Sequence, residues 1–377
     1  MVLICSRCVY DSSIPGIVFD ENGVCSFCHQ IDELKNEYGT GTSKGAEELA
    51  LIIKKIKDNG KGKKYDCAVG ISGGTDSCYL LMKTVEWGLR PLAIHYDNTW
   101  NSATATMNIE KVTRFLSVDL ETYVVDNKEI DDIKASIIRA GILEFDGDTD
   151  VAIIQVMRSI AAKHQISFIL EGHSFVTEGI SPVSQNYFDG AYIKDVHRKF
   201  GKLRMNTFPN LTLSRFMRWI LLHNQQIIRP LWYVDYDKHL ARIELAEKTG
   251  WIYYNGHHLE NRASAFFHTY WAPEGFSIDF RKLTIASDVR NGKMTHREGL
   301  ERMKKPVETD ALLRQFVLKR TNMTEEELIL HMNGLKRSWR DFKSYKRQFE
   351  LLRPVFFYLL KKKRVTHSFY VKYCFPI

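Results

Sequence analysis

Between residue 66 and about residue 173, apolar residues occur in short runs separated by longer amphipathic stretches. The runs are "DCAVGI", "LRPLAIHYD", "LETYVVD" and "ISFILEGH". Each has the length of a strand, and the stretches between them have the length of helices. Short apolar strands that alternate with helices indicate a parallel sheet with helices on both faces. The pattern therefore predicts an α/β fold with a doubly wound parallel sheet.

The segments on either side of this pattern differ from it. Turn-forming strings such as "SSIPG" and "DENG" dominate the first thirty residues, which contain too few apolar residues for a core. Residues 174–305 are predicted to be rich in loops, with helices at about 210–223 and 237–249. The remainder is predicted to be helical, with Thr324 and Glu327 forming a capping box. We predict five parts, namely a cysteine knuckle, a helical linker, the sheet domain, a mostly helical region for substrate or partner binding, and a basic aromatic tail: 1–30, 31–65, 66–230, 231–334 and 335–377.

Large apolar residues in the tail recur at steps of three and four. This spacing predicts one aromatic stripe on a helix whose other faces carry Lys and Arg, with a kink at Pro354. Such a helix could lie on an anionic membrane surface, dock a partner or touch nucleic acid, or it could be a packed helix with a solvated basic face. The residues of the stripe are Phe342, Tyr345, Phe349, Leu352, Phe356 and Leu359.

Composition narrows the class of protein. The 377 residues are 44% hydrophobic and 26% charged, as in an ordinary globular chain of two or three domains. Neither a signal-peptide pattern nor an uncharged apolar run of about 18 residues occurs, which predicts a cytoplasmic protein. The net charge is +8, but residues 335–377 alone carry +10, so the preceding residues sum to −2. An RNA-binding protein would spread positive charge over its body, so nucleic acid is an unfavoured partner.

The most specific motif is "SGGTDS", which lies between the first predicted strand and a helix. Glycines let the backbone turn tightly and approach a ligand, and the N-terminus of the following helix attracts anions. The spacing is neither that of a Walker loop nor that of a dinucleotide-binding loop. The motif predicts a phosphate ligand; a merely structural glycine turn is the alternative. The expected contacts are Gly70, Ser72, Gly73, Gly74, Thr75, Asp76 and Ser77.

Four of the seven cysteines form two Cys-x2-Cys pairs near the start of the chain. Each pair can bind one metal ion from a tight knuckle, and two pairs complete the tetrahedral thiolate site typical of structural zinc. The predicted zinc ligands are Cys5, Cys8, Cys25 and Cys28. Two disulfides or a rubredoxin-like iron site are the alternatives, although disulfides conflict with a cytoplasmic location.

Polar residues follow the second and fourth strands, where doubly wound sheets bind ligands. Near "HYDNTWNS", we expect His95, Asp97 and Asn98 to contact the adenosine part of a nucleotide. The alternative is that such residues only satisfy loop amides. Near "LEGHSFVTEG", we expect contacts with the phosphates or the reacting centre from Glu171, Gly172, His173 and Glu178.

A second cluster of charged residues lies in "NGHHLENR" and in the later string "DFRK". Its composition predicts an anionic substrate or phosphate contact. A second metal site is disfavoured because the histidines lack the i, i+4 spacing of a zincin helix, and partly exposed structural groups are the remaining alternative. The predicted substrate ligands are His257, His258, Glu260, Arg262, Arg281 and Lys282.

Taken together, the knuckles, the loop and this downstream block resemble the N-acetyl sugar amidotransferases of the PP-loop ATP pyrophosphatase superfamily. The matching strings include "CSRCVYDSSIPGIVFDENGVCSFC", "GISGGTDSCYLL", "AIHYDNTWNSATATMNI" and "GKMTHREGL". The resemblance implies the adenine nucleotide alpha hydrolase-like fold of that superfamily. It also implies an enzyme that uses ATP and Mg²⁺ to convert an acetamido sugar, nucleotide-linked, into an acetamidino sugar for O-antigen or related surface glycans.

In that family the loop holds the β and γ phosphates. The resemblance therefore assigns Asp76 to Mg²⁺. Together with the residues expected at the end of the fourth strand, the predicted catalytic residues are Asp76, Glu171, His173 and Glu178. It implies an ammonia-supplying glutaminase subunit, similar to that of imidazole glycerol phosphate synthase, with a barrel partner. The string "NGHH" departs from the more glycine-rich family pattern. A tRNA-modifying enzyme of the same superfamily, such as a thiolase, and a non-catalytic scaffold protein are the alternatives.

Overall fold

The computed structural model of the protein describes residues 2–180, 187–254, 259–362 and 364–376. Five strands form its centre: β1 (Cys67–Gly70), β2 (Pro91–Asp97), β3 (Leu120–Val124), β4 (Phe168–Leu170) and β5 (Gln226–Ile228). They make one parallel sheet in the order β3-β2-β1-β4-β5. The sequence pattern does not predict β5, a three-residue strand of half-buried side chains that periodicity cannot distinguish from a loop.

Helices surround the sheet, and the pattern between the strands predicts most of those in the sheet domain. Two short 3₁₀ turns, at Pro230–Trp232 and Trp339–Asp341, and a π-helical turn at Phe267–Trp271 accompany them. The helices within the described residues are α1 (Ser26–Tyr38), α2 (Ser43–Gly60), α3 (Thr75–Glu86), α4 (Ala103–Phe115), α5 (Asn127–Ala140), α6 (Gly147–Lys163), α7 (Phe175–Glu178), α8 (Gly190–Phe200), α9 (Leu213–Leu221), α10 (Lys238–Thr249), α11 (Arg262–Phe266), α12 (Ala272–Phe276), α13 (Arg281–Arg290), α14 (His296–Lys304), α15 (Ala311–Thr321), α16 (Glu325–Asn333), α17 (Lys346–Leu351), α18 (Arg353–Lys361) and α19 (His367–Cys374).

Both faces of the sheet are buried. In β1, Ala68 packs into a core with residues of α5 and α6, whereas Cys67 and Val69 pack into a second core with α3, α4 and α10. Successive side chains of a strand point to opposite faces, so these two cores lie on opposite sides of the sheet. The predicted doubly wound α/β fold is therefore confirmed.

The helices predicted near residues 210–223 and 237–249 are confirmed as α9 and α10, but the expectation that the rest of 174–305 is rich in loops is wrong for the described residues, which form six further helices there. Most of the helices in this stretch are short and begin at polar N-caps. Thr295, for example, forms a capping box with Glu298 at the start of α14. A helix of one or two turns is too short to show a hydrophobic period, so a pattern search misses the shortest of them, such as α7, α11 and α12. The predicted capping box of Thr324 and Glu327 is confirmed at α16.

The tail does not form one kinked helix. Pro354 lies in the first turn of α18, a position that tolerates a missing N–H, and α17 ends just before it. Phe349, Phe356 and Leu359 pack instead against Phe216 and Ile220 of α9. No helix within the described ranges is both long and apolar enough to cross a bilayer.

The cysteine knuckle packs against the later helices. Its apolar residues share one buried cluster with Ile285 and Ala286 of α13, while Met294, Leu300 and Met303 lie at the edge of that cluster. The N-terminal residues therefore contact a segment nearly three hundred positions further along the chain. The proposed domain boundaries stay predictions.

Candidate active site

The loop that joins β1 to α3 presents two hydroxyl groups at the start of the helix. The Ser72 backbone N–H donates to Ser77 Oγ over 3.1 Å, and the two serine Oγ atoms lie 3.1 Å apart. The Gly74 N–H donates to Ser72 Oγ over 3.3 Å. The first turn of α3 has backbone N–H groups without partners in the helix, so this cluster can bind an anion at its positive end.

Gly73 holds this loop in place because the position excludes a side chain. Its φ is +83°, and an added Cβ would lie 2.3 Å from the carbonyl oxygen of Ala105 on α4. The Gly73 carbonyl accepts hydrogen bonds from Trp251 Nε1 (3.0 Å) and Asn108 Nδ2 (3.3 Å). The loop is thus fixed against α4.

We predict that Gly73→Ala loses ATP binding and is less stable than Gly62→Ala. Both glycines have a positive φ, but nothing lies within 4 Å of an added Cβ at Gly62. Gly62→Ala should therefore cost only the left-handed backbone penalty of about 1–2 kcal/mol. Gly73→Ala adds a collision with the backbone of α4, which costs about 1–3 kcal/mol more. Urea unfolding and ATP titration calorimetry measure both effects; equal stability and affinity in the two variants would contradict this role of Gly73.

Asp76, in the first turn of α3, forms an ion pair across the site. Its Oδ2 lies 2.6 Å from Lys238 Nζ, and its Oδ1 accepts a hydrogen bond from the Tyr236 hydroxyl. Burial lowers the pKa of Lys238, but the charges of Asp76 and Glu178 outweigh burial and raise that pKa above its ordinary value. Mg²⁺ commonly takes one or two carboxylates plus substrate phosphates, so Asp76 beside the anion site fits the predicted magnesium ligand.

The end of β2 is held by a network of side chains. His95 is buried, and its Nδ1 lies 2.8 Å from the Ile71 carbonyl oxygen, so this nitrogen carries a proton. Its Nε2 accepts from Asn101 Nδ2 over 3.0 Å, and burial lowers the pKa of His95. The ring is therefore neutral in a fixed tautomer. Asp97 bonds within its own loop, where its Oδ1 accepts the Thr99 N–H over 2.7 Å.

The end of β4 meets the start of α3. An added Cβ on Gly172 would lie 2.9 Å from the carbonyl group of Asp76, so only glycine allows this contact. Glu171 Oε2 lies 3.0 Å from Arg229 Nε. His173 Nε2 lies 3.4 Å from Glu178 Oε2, and its Nδ1 accepts the indole N–H of Trp232 over 3.2 Å. The predicted catalytic groups thus lie around one junction.

A cavity of about 510 Å³ opens over these strand ends. Its walls come from the loop after β1, from β2 and β4, from α6, and from the segment that begins at residue 260. The π-helical turn contributes Phe267 and His268, which fits the frequent occurrence of such turns at functional sites. Nine of the predicted site residues line it: Gly70, Ser72, Ser77, His95, Asn98, Glu171, Gly172, His173 and Glu260.

Other predicted residues lie outside this lining. Arg281 forms an ion pair with Asp279, and Lys282 forms one with Asp11, both at 2.7 Å. The Arg262 guanidinium stacks 4.4 Å from the centre of the Phe316 ring. His257 and His258 lie outside the described residues. The substrate role assigned to this block stays a prediction.

Sequence reasoning missed several cavity residues, of which Arg158 is the clearest. This side chain is 2% exposed, lines the cavity, and its Nε has no hydrogen-bond partner among the residues described. Burial lowers its pKa to about 10, so it remains a cation at neutral pH. The sequence contains one signal that could have identified Arg158, namely a single arginine inside the apolar string "VAIIQVMRSIAA", because a charged residue is unusual in a buried segment. Further residues that the pattern did not single out are Asp146, Asn261, Ser264, Tyr236 and Lys238.

The four N-terminal cysteines form a second site. All are fully buried, and their Sγ atoms lie within 4.8 Å of one another, with 3.9 Å between Cys5 and Cys28 and 3.8 Å between Cys8 and Cys25. A tetrahedral zinc site with Zn–S distances of about 2.3 Å requires sulfur separations of about 3.8 Å. The N–H groups of Arg7 and Cys25 also donate to Cys5 Sγ. This geometry suits a metal site better than disulfides, whose sulfurs lie about 2.05 Å apart.

A buried arginine, Arg290, lies beside the cysteine cluster. It is 9% exposed, and no guanidinium nitrogen has a hydrogen-bond partner in the described part of the chain. Burial lowers its pKa, but the charges of Cys28 and Cys8 outweigh burial and raise that pKa. A divalent ion with four thiolates has a net charge of minus two, which compensates a buried guanidinium. The surroundings of the cysteines therefore fit a structural zinc ion.

Comparison with known proteins supports the resemblance in the second half of the chain. Residues 260–355, about a quarter of the sequence, match the family described as "LPS biosynthesis protein WbpG-like, C-terminal domain". The predicted resemblance to enzymes of bacterial surface polysaccharides is thereby confirmed for this segment. No curated protein matches the sequence.

Two solved structures are similar to this chain at low identity. One is NMN synthetase from Francisella tularensis, with 12% identity, coverage of 75% of this chain and 95% of that one, and a TM-score of 0.33. The other is a predicted subunit of tRNA methyltransferase from Methanocaldococcus jannaschii, with 16% identity, coverage of 48% and 74%, and a TM-score of 0.27. These TM-scores are too low for either similarity to bear on the activity of this chain.

Proposed function

We propose that the protein is an ATP-dependent amidotransferase that converts an acetamido sugar, nucleotide-linked, into an acetamidino sugar for O-antigen or a related surface glycan. One observation carries this proposal: the polysaccharide-related segment begins at the cavity into which the anion-binding loop opens. The Ser102 N–H donates to the Glu260 carbonyl over 2.8 Å, and Asn261 Nδ2 donates to Asn98 Oδ1 over 2.8 Å. The loop that we propose binds ATP and the segment similar to an LPS biosynthesis protein therefore face one cavity, which supports the proposal.

The proposed reaction has two steps. The oxygen of the sugar N-acetyl group attacks the α-phosphorus of ATP; a P–O bond forms, and pyrophosphate leaves with the electron pair of the broken bond. Ammonia then adds to the carbon of the adenylated imidate. The C–O bond to AMP breaks, a proton is lost from nitrogen, and an amidine remains. The net change replaces the acetyl oxygen by an NH group.

The residues of the chain have separate tasks in this reaction. The N–H groups at the start of α3 and the hydroxyls of Ser72 and Ser77 bind the leaving pyrophosphate, where negative charge develops. The adenosine part lies towards His95 and Asn98. Asp76 would hold Mg²⁺, which would further neutralise that charge. The His173–Glu178 pair takes up the proton that the attacking ammonia loses.

The burial and the raised pKa values of the remaining cysteines support an ammonia source outside this chain. The three cysteines outside the metal cluster are Cys67, Cys78 and Cys374, and all three are at most 1% exposed. Burial raises the pKa of Cys67 and Cys78, and raises that of Cys374 to about 11. None has the exposed, low-pKa thiolate that a glutaminase nucleophile requires. We therefore propose that a separate glutaminase subunit, together with a barrel partner, supplies ammonia.

The proposal is tested with purified protein, ATP, Mg²⁺, ammonium chloride and a panel of free and nucleotide-linked acetamido sugars. AMP, pyrophosphate and a product with NH in place of oxygen, identified by mass spectrometry, are expected. The matched control replaces the acetamido group of the sugar by a hydroxyl, which removes the attacking oxygen and should stop AMP formation. Formation of ADP and phosphate, or copurified tRNA that is adenylated in place of the sugar, would overturn the proposal.

A further inference from the structure

Helix α18 of the tail exposes an apolar face. Val355 and Tyr358 are three residues apart on α18, so they lie on one side of this helix, and they are 40% and 59% exposed. Phe357, which precedes Tyr358, is 45% exposed. An exposed group of large apolar side chains on adjacent turns is typical of an interaction site.

The opposite side of the same helix is buried, which fixes the orientation of this face. Phe356 and Leu359 are at most 3% exposed and pack with Phe216 of α9. The Phe216 and Phe356 rings stack with their centres 6.3 Å apart. The exposed side chains are therefore held outward by a packed core and do not belong to a loose terminus. We call this surface the tail face and define it by the exposed side chains of α18: Val355, Phe357 and Tyr358.

Two lysines lie beside the tail face. Lys361 Nζ lies 4.5 Å from the centre of the Phe357 ring, and Lys362 Nζ lies 5.7 Å from that of Tyr358. Both lysines are exposed. Asp341 and Glu350 are the only acidic residues from 335 to 377, and Glu350 lies 3.9 Å from Lys346 Nζ. Exposed positive charge therefore adjoins the exposed aromatic rings of α18.

We propose that the tail face docks the protein on an anionic phospholipid bilayer. Protein–protein interfaces are depleted in lysine, whereas interfacial helices combine aromatic and aliphatic side chains with lysine and arginine. Charge complementarity also favours the bilayer, since residues 335–377 carry +10 and the rest of the chain carries −2. The apolar side chains enter the headgroup region while the lysines reach the lipid phosphates.

Cosedimentation with vesicles tests this proposal on the full-length protein. We expect binding to phosphatidylglycerol-containing vesicles, weakened by high salt, and little binding to pure phosphatidylcholine vesicles. Phe357→Ser/Tyr358→Ser should abolish binding, and Lys361→Gln/Lys362→Gln should weaken it roughly tenfold or more. The matched control is Leu312→Ser/Leu330→Ser, which changes two leucines that are 71% and 68% exposed on other helices and should bind like the parent protein.

Circular dichroism and ATP turnover in vesicle-free buffer establish that each variant is folded. Equal binding to neutral and anionic vesicles would overturn the proposal, and so would an undiminished affinity of the tail-face variants. Sedimentation velocity tests whether a second copy of the protein, in place of a bilayer, covers the tail face. In that case the parent protein is a dimer, Phe357→Ser/Tyr358→Ser dissociates it, and vesicles do not bind. This experiment is independent of which sugar the enzyme uses.

Discussion

Asp76→Ala is expected to lower pyrophosphate release by at least about 10²–10³-fold while the protein remains folded. The carboxylate lies in the first turn of α3, next to the hydroxyls of Ser72 and Ser77, and is bound by Lys238 at 2.6 Å. Removing it takes away the carboxylate that can hold Mg²⁺ beside the leaving pyrophosphate. The measurement is an enzyme-coupled pyrophosphate assay with ATP and an acetamido sugar.

Asp76→Ala should also lower the stability of the protein, because Asp76 neutralises the charge of the half-buried Lys238. This effect has to be separated from the effect on catalysis. Glu178 remains near Lys238, so the loss should be limited to about 1–3 kcal/mol. Asp76→Ala/Lys238→Met should recover stability without recovering turnover, which separates the ion pair from the catalytic role. Glu301→Ala removes an exposed ion pair with Lys304 and should change neither quantity. An unchanged rate in Asp76→Ala would refute the role assigned to this carboxylate.

Cys5→Ser is expected to lose the bound zinc and most of the soluble protein. The Cys5 sulfur accepts two backbone N–H groups and lies 3.9 Å from that of Cys28, so its removal breaks both the metal site and the turn around it. Structural zinc contributes about 10–16 kcal/mol to the folding of small thiolate domains. Loss of the knuckle would also expose the α13 surface around Ile285 and Ala286. Metal analysis of the soluble fraction and limited proteolysis measure these effects.

Cys374→Ser is the matched control for the knuckle. Cys374 is 1% exposed and lies outside the cluster, so its replacement perturbs a buried site without removing a metal ligand. This variant should retain one zinc ion per chain. A soluble Cys5→Ser variant with its full zinc content would contradict the assignment, and iron in place of zinc in the parent protein would identify the rubredoxin-like alternative. Neither result depends on enzyme activity.

Local features of the sequence were sufficient for two parts of the molecule. The order of strand, glycine loop and helix around "SGGTDS" predicts the anion site because all of its groups lie within six residues. The two Cys-x2-Cys pairs predict the thiolate cluster because each pair is a local turn. The sheet also follows from short-range patterning, apart from β5, whose three residues are too few to show a period.

Contacts between distant residues were decided by tertiary structure. Lys238 is 162 positions from Asp76, and no local pattern relates an ion pair of that separation. The charged block after residue 255 illustrates the same limit: Glu260 reaches the cavity, whereas Arg281 and Lys282 pair with Asp279 and Asp11. Composition predicts that such charges find partners but does not specify which ones.

The sequence by itself therefore determined what is local in the chain, namely a helix start that presents hydroxyl and amide groups, a cluster of four cysteines and a parallel sheet. Only the folded chain decided which side chains face the cavity, that the buried Arg158 is among them, and that the tail packs one side on α9 and leaves the other exposed. The physical reason is that propensity and periodicity act over a few residues, whereas burial and charge pairing are set by packing between segments far apart in sequence.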